Sequence, residues 1–192
     1  MEQWAGMLDQ QLIVFAQGGQ PEAYGELVRR YQADVFNVAH RLLGEQQEAL
    51  DLSQESFVRG YQALDRFDPS RPFGPWIKRI TTNGALNWLQ KRRLPTLSLT
   101  HQATSNEPAE EWALPDETAE PERLYLAGER QTQLRTALLS LPPHYRAVIE
   151  LRHMQDLSYD EIAAALQLPV SDVKSHLFRA RQLLRKSLEG YL

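Results

Sequence analysis

LSYDEIAAALQLPVSDVKSHLFRARQLLRK, residues 157–186, decides how the rest of the chain is read. Ser158 and Glu161 form a capping-box pattern just before the apolar stripe Ile162, Ala163, Leu166, which predicts a helix starting at Ser158. Leu168-Pro169 ends it, because a residue before proline is pushed out of the helical region and proline offers no N–H to the ladder. Ser171 is placed to cap a second helix. On that helix Val173, Leu177, Ala180, Leu184 and Leu188 share one stripe, while Lys174, Phe178, Arg181 and Arg185 share another. One face packs inward and the other meets solvent or phosphate.

From Val173 to Leu188 the charged residues are Lys174, Arg179, Arg181, Arg185 and Lys186, with no acid among them. Phosphate contacts need cations, and base-edge contacts come from side chains near the start of a helix that enters the major groove. Lys174, Ser175, His176, Phe178 and Arg179 are the candidates for base contacts. The stretch equally fits a basic amphipathic helix packed on its neighbour with a solvated face, since helical hairpins are common.

The formal charge of −4 argues against nucleic acid only until it is divided along the chain. Residues 1–93 carry 11 acids and 11 bases, residues 94–127 carry 7 acids and 1 base, and residues 128–192 carry 7 acids and 9 bases. The acidity therefore belongs to 94–127, a stretch with Pro95, Pro108, Pro115 and Pro121 and no periodicity, which reads as a flexible tether. The absence of cysteine excludes disulfides and thiolate zinc sites. The histidines show no metal-ligand spacing, so neither metal nor cofactor is expected. No apolar run is long enough to span a bilayer and MEQWAGMLDQQ lacks a secretory layout, which places the protein in the cytoplasm.

Along the chain the pattern is helical throughout. A short helix is expected around Asp9–Gln17, stopped by Gly18-Gly19. Pro21 opens a long one carrying Tyr24, Leu27, Val28, Tyr31, Val35, Val38, Ala39 and Leu42, with Gly44 at its end and a possible break at Gly25 or 32–34. The next, roughly Gln47 to Leu64, is expected to bury Leu50, Phe57, Tyr61 and Leu64. Asp51, Gln54 and Glu55 then share its exposed face, either a solvated acidic patch or a dock for a basic partner.

A loop rich in proline and arginine, residues 66–75, leads into WIKRITTNGALNWLQKRR, a helix starting near Pro75. Between Pro69 and Asn106 there are bases (Arg71, Lys78, Arg79, Lys91, Arg92, Arg93) and no acid. Rings interleaved with cations and amides suit single-stranded nucleic acid: cations track the backbone, rings stack on bases, and an amide such as Asn83 reads a base edge. The same residues also fit plain core (Trp76, Ile77, Ile80, Trp88) and helix surface. Gly84 in mid-helix costs about 1 kcal/mol relative to alanine and hints at close packing. Beyond the tether, a helix beginning near Glu122 with Leu124, Leu134, Leu138 and Leu141 stops at Pro142-Pro143, and HYRAVIELRHM follows. Val148, Ile149 and Met154 are expected to bury the helical pair of 157–186.

With these stretches in view the chain resembles the extracytoplasmic-function (ECF) group of bacterial RNA polymerase sigma factors. DLSQESFVRGYQAL (51–64) is similar to the family's polymerase-binding helix. RPFGPWIKRITTNGALNWLQKRR (71–93) is similar to its promoter-melting segment. LPPHYRAVIELRHMQDLSYDEIAAALQLPVSDVKSHLFRARQLLRK (141–186) is similar to its C-terminal promoter-binding domain. The resemblance implies an all-α protein. A sigma region 2-like bundle over 1–93 and a sigma region 4-like helix-turn-helix domain over 128–192 would be joined by an acidic linker, 94–127.

It also implies roles. Asp51, Gln54 and Glu55 match positions that bind the β′ clamp helices of core RNA polymerase, whose β subunit is a further partner. The 67–75 loop, which holds Phe73, and Asn83 match the family's pocket for a base flipped from the −10 element, and Trp76 lies in the same promoter-melting segment. Lys78, Arg79, Lys91, Arg92 and Arg93 would hold phosphates. Lys174, Ser175, His176, Phe178, Arg179 and Arg181 match the segment reading the −35 element of promoter DNA. An anti-sigma factor on another chain is a further implied partner. Departures from the family's pattern are His176, often arginine, and Gln167, often glycine, where a left-handed backbone would be strained. The alternative is a helix-turn-helix regulator acting without polymerase, which leaves 71–93 and the acidic face of 51–64 without a task. An enzyme is not expected, since no nucleophile elbow or phosphate-cradling glycine loop is present.

Overall fold

In the computed structural model the described residues are 2–93 and 121–189, with the backbone alone for 121–130. They form α1 (Glu2–Ala5), α2 (Asp9–Gln17), α3 (Pro21–Leu43), α4 (Gln46–Ala63), a 3-10 turn (Leu64–Arg66), α5 (Phe73–Arg93), α6 (Pro121–Ser140), α7 (Pro143–Ile149), a π-helical continuation (Glu150–Met154), α8 (Tyr159–Leu166) and α9 (Val170–Leu188). The expected all-α architecture is what is seen, with no strand among the described residues.

α3 is the axis of the first unit. Pro21 pre-sets its first turn, and Gly44 ends it at φ 88°, donating to the His40 carbonyl. It runs unbroken through Gly25 and 32–34, because its alternate turns are locked onto α2, α4 and α5. Leu12, Ile13, Leu27, Val35, Phe57, Phe73 and Ile77 make one buried cluster. The N-terminal helices are tied to α3 by charge: Arg30 reaches Asp9, Glu26 and the Trp4 and Ala5 carbonyls. Arg29 and Arg30 hold the Glu26 carboxyl down to about 2.

The buried stripe of α4 is half the expected one: Phe57 and, just past the helix end, Leu64 are buried as expected, but Leu50 and Tyr61 are not. Ala49, Leu52, Ser53, Ser56, Phe57 and Gly60 face inward, while Leu50 and Tyr61 are each 44% exposed. Small residues let α4 approach α3 and α5 closely, and Ser53 and Ser56 return their hydroxyls to the Ala49 and Leu52 carbonyls, so their burial leaves no polar group unpaired.

The linker expected over 94–127 lies mostly outside the described residues, but 121–127 are helical, since Pro121 opens α6. In the second unit Leu141, Val148, Ile149, Leu151, Ile162, Val173, Leu177 and Ala180 form the core. One expected contributor does not: Met154, at 49% exposure, lies at the end of the wide π turn, and Leu134 of α6 is likewise 42% exposed.

A third cluster joins the units. Val38, Ala39, Leu42, Leu43, Ala49, Leu52, Ala85 and Leu86 of the first pack with Ala147 of the second, and with Leu166 at its edge.

Candidate nucleic-acid interface

The helix-turn-helix is built as its residues require. Ser158 caps α8, accepting from the Glu161 N–H at 3.3 Å, while the Glu161 carboxylate accepts from the Ser158 N–H at 2.8 Å. These bonds hold the Glu161 carboxyl below the usual range. α8 ends at Gln167 with φ 54°, ψ 43°, the left-handed conformation that donates its N–H back to Ala163. Ser171 does not cap α9: Pro169 occupies the cap position and Ser171 already lies inside the helix, since proline's fixed φ starts the helix two residues earlier than expected. Val173, Leu177 and Ala180 are buried as expected, which turns the opposite stripe outward.

On that stripe Lys174, Arg179 and Arg181 are exposed and Phe178 is 62% exposed, a large ring turned to solvent among the described residues. Ser175 and His176 are half-buried. His176 lies against Tyr145, ring centroids 5.2 Å apart, and near His144 at 6.4 Å. Burial, then the neighbouring His144, lowers its pKa, and its Nδ1 is buried without a partner. His176 is thus held neutral at pH 7 against α7, while Arg179 bonds to Tyr145 and Arg181 meets His153 at 3.4 Å.

The α5 region divides differently from expectation. Phe73 is 1% exposed, ringed by Tyr24, Tyr31, Phe67 and Trp76, so it cannot meet a base in this conformation. Its place in the sequence, at the very start of α5, puts it against α3 and makes it the floor beneath Trp76. Trp76 is half-buried and stacks at 4.4 Å on Phe67; Asn83 is half-buried further along the helix. Arg79 and Lys91 are exposed. Lys78 is paired with Asp34 at 2.5 Å, and Arg92 is paired with Glu48 at 3.0 Å while lying 5.2 Å from the Trp88 ring centroid. Arg93 ends α5, its side chain outside the described set. In the preceding loop Asp68 accepts from the Ser70 N–H and hydroxyl, bonds that lower its pKa and fix the turn.

On α4, Asp51, Gln54 and Glu55 are exposed together, as expected, with Glu55 paired to Arg59 at 2.6 Å. The same face carries Leu50, Val58 (56% exposed) and Tyr61, which sequence reasoning missed. Their signal was misleading: large apolar residues at helical spacing look like core until the small-residue stripe beside them is seen to be the buried one. The face is amphipathic, acids beside apolar groups, which suits a protein partner. Among the described residues no group of His, Asp and Glu is placed to hold a metal, and no helix is long and apolar enough to cross a membrane.

A helix-turn-helix with a basic outer stripe, an aromatic and basic helix on a separate unit, and an acidic apolar face beside it together define a two-unit helical DNA-binding protein. The sequence matches Sigma-70 region 2 over residues 27–94 and Sigma-70 region 4 over residues 131–184. It is 38% identical over 186 residues to the ECF RNA polymerase sigma-E factor of Salmonella typhimurium, covering 95% of each chain. The fold is similar to that of CnrH in complex with the cytosolic domain of CnrY, with TM-score 0.61, 27% identity, and coverage of 96% of this chain and 99% of that one. It shares the fold of the sigma factor RpoE in complex with the anti-sigma factor NepR from Bartonella quintana, with TM-score 0.64, 19% identity, and coverage of 88% and 98%. The chain belongs to the ECF group of RNA polymerase sigma factors.

Proposed function

We propose that this chain is a promoter-specificity subunit that binds core RNA polymerase in the cytoplasm and directs initiation, with the division of labour that its three faces suggest. The α4 face of Asp51, Gln54 and Glu55, widened by Leu50, Val58 and Tyr61, docks on the polymerase. α9 reads the upstream −35 element through Lys174, Ser175, Phe178, Arg179 and Arg181. Arg79, Asn83, Lys91 and, once released from their carboxylates, Lys78 and Arg92 hold the melted −10 strand, with Trp76 as the stacking surface. The polymerase makes the bonds. This chain supplies binding energy, since unstacking a base costs a few kcal/mol that capture of the base offsets. An anti-sigma protein on another chain is the expected regulator, and would cover the same faces.

The observation that carries this reading over a plain helix-turn-helix regulator is the α4 face: exposed acids and exposed large apolar residues on one helix, remote from α9 in sequence. The deciding measurement is co-elution of the purified protein with core polymerase and initiation from a library of promoter fragments. Asp51→Ala with Glu55→Ala is expected to lower core binding and spare duplex DNA binding. Lys174→Ala with Arg179→Ala should do the opposite, losing about 1–3 kcal/mol per base contact and flattening the salt dependence. Duplex binding with no association with core would leave the plain regulator as the account.

A further inference from the structure

α2 carries a side chain whose task the three faces leave unexplained. Gln17 is the last residue of α2, and its amide nitrogen donates to the Leu64 carbonyl and to the Phe67 carbonyl, each at 2.9 Å. Those carbonyls bracket the 3-10 turn Leu64–Arg66 that follows α4, where the end of a helix leaves acceptors without intrahelical partners. Both N–H bonds of one amide are thereby committed to one turn of backbone, 47 and 50 residues further along the chain. The donor is itself fixed. Leu12, Ile13 and Ala16 are buried on the inner face of α2, and Asp9 at its start accepts hydrogen bonds from Arg30 and Tyr31 of α3.

Phe67, whose carbonyl Gln17 holds, is the residue on which Trp76 stacks, ring centroids 4.4 Å apart; it is buried, while Trp76 is half-buried. Beyond Phe67 the loop fixes its own shape. Asp68 accepts from the Ser70 N–H and hydroxyl, and the Asp68 carbonyl accepts from the Arg71 N–H at 3.0 Å, with Ser70, Arg71 and Pro72 left exposed. Phe73, buried against Tyr31 of α3, anchors the far end of the loop, and Gln17 anchors the near one. We propose that Gln17 is a positioning residue for the melted strand: through the Leu64 and Phe67 carbonyls it sets the 67–75 loop and the Phe67 ring against Trp76, so that α2 governs which base is accepted there. The inference rests on the strand-holding role proposed for α5 and deepens it. Selectivity between bases needs groups held within about 0.5 Å of their productive places, which hydrogen bonds one layer behind the contact provide. Phosphates, which carry no sequence information, make no such demand.

The test uses the full-length protein bound to core polymerase and a single strand carrying the −10 element of a promoter recovered from the fragment library, each base of the element being replaced in turn. Gln17→Met keeps the length of the side chain and removes both donors. It is expected to lower the preference for the native base over its replacements about two- to tenfold, the range set by one net hydrogen bond. Binding to core and to −35 duplex should not change. Gln17→Lys, which offers N–H donors again, should restore the preference. Gln17→Met added to Trp76→Ala should cost little more than Trp76→Ala alone, because both act on one contact. Should Gln17→Met not fold, Gln17→Asn, whose amide falls one carbon short of the two carbonyls, carries the same expectation. A role in folding alone would lower the thermal midpoint and weaken all strands equally, leaving their ratio unchanged, and that result overturns the inference. So does a loss of the same size with and without Trp76. An effect of Trp76→Ala without one of Gln17→Met removes the inference and spares the role of α5. Trp76→Ala that leaves strand binding and base preference intact removes both.

Discussion

Gln167 is a residue in a conformation that its side chain resists. At φ 54° its Cβ crowds the backbone, a penalty of about 1–2 kcal/mol that glycine avoids. It is held there because α8 must stop before Leu168-Pro169 and turn sharply into α9. Gln167→Gly is therefore expected to stabilise the second unit by about 1 kcal/mol, a rise in melting temperature of about 4–8 °C for a unit of this size, checked by thermal unfolding. An unchanged or lower midpoint would mean that the side chain makes a contact worth more than the strain. This position was legible in the sequence, since Leu168-Pro169 ends α8 there and the family resembled often has glycine at it. Phe73 and His176 were not. Composition says that a phenylalanine in a basic loop suits a base, but nothing local says that the start of α5 is pressed onto Tyr24 and Tyr31. For His176 the deciding neighbours, His144 and Tyr145, come from α7.

At the scale of the element, α4 teaches the most. Hydrophobic periodicity weighs large side chains, and on that weighting Leu50 and Tyr61 belong inside. The helix instead buries alanine, serine and glycine, because what it gains is closeness to α3 and α5. Gly60 shows how close: a Cβ would lie 2.7 Å from the Tyr24 hydroxyl, itself bonded to the Phe57 carbonyl at 2.7 Å, and 2.8 Å from Ile77 Cδ1. Gly60→Ala gains about 1 kcal/mol of helix propensity. It should nonetheless destabilise the first unit, since overpacking costs about 1–3 kcal/mol and Tyr24 cannot move without breaking its bond. Chemical denaturation would show this as a lower midpoint at unchanged slope, and a higher midpoint would refute it. The same closeness is at Gly84, where Leu52 Cδ1 would be 2.8 Å away, the packing that a mid-helix glycine had hinted at. Helix existence and limits were legible to within a few residues from proline, glycine and caps; which face is inward was not, wherever small residues form the seam.

For the whole molecule, the charge division along the chain and the order of blocks were readable, whereas the contact between the two units was not: Arg41 and Glu150, joined by an ion pair at 2.8 Å, are 109 residues apart and no local pattern joins them. The contact that docks the two units on each other carries a titratable group. His40 stacks on Phe36 and meets Arg135, with Arg41 and Glu45 as the other charged neighbours. Burial, then Arg135, lowers its pKa, so the docked state favours the neutral ring. Docking is therefore at full strength well above the ordinary histidine pKa of about 6.5, and weakens as pH falls below it, until the docked ring itself takes a proton. The chain has no cysteine, so fluorescence transfer between labels at Gln62→Cys and Ser187→Cys, one exposed site on each unit, should fall on acidification from about pH 7.5 to 5.5, and His40→Gln should flatten that dependence. Transfer that falls equally in the variant would assign the effect to another group.

Asp34 on Lys78 and Glu48 on Arg92 mean that α5, proposed above to hold the melted strand, carries its own counterions. A lone phosphate gains little by replacing a carboxylate already in place, because exchanging one exposed ion pair for another is worth under about 1 kcal/mol. A strand that presents several phosphates in register, with a base to stack on Trp76, displaces both carboxylates at once. On the role proposed for α5, the helix would thereby be shielded from stray polyanions and answer to a correctly spaced strand, a form of proofreading that operates before any base is read.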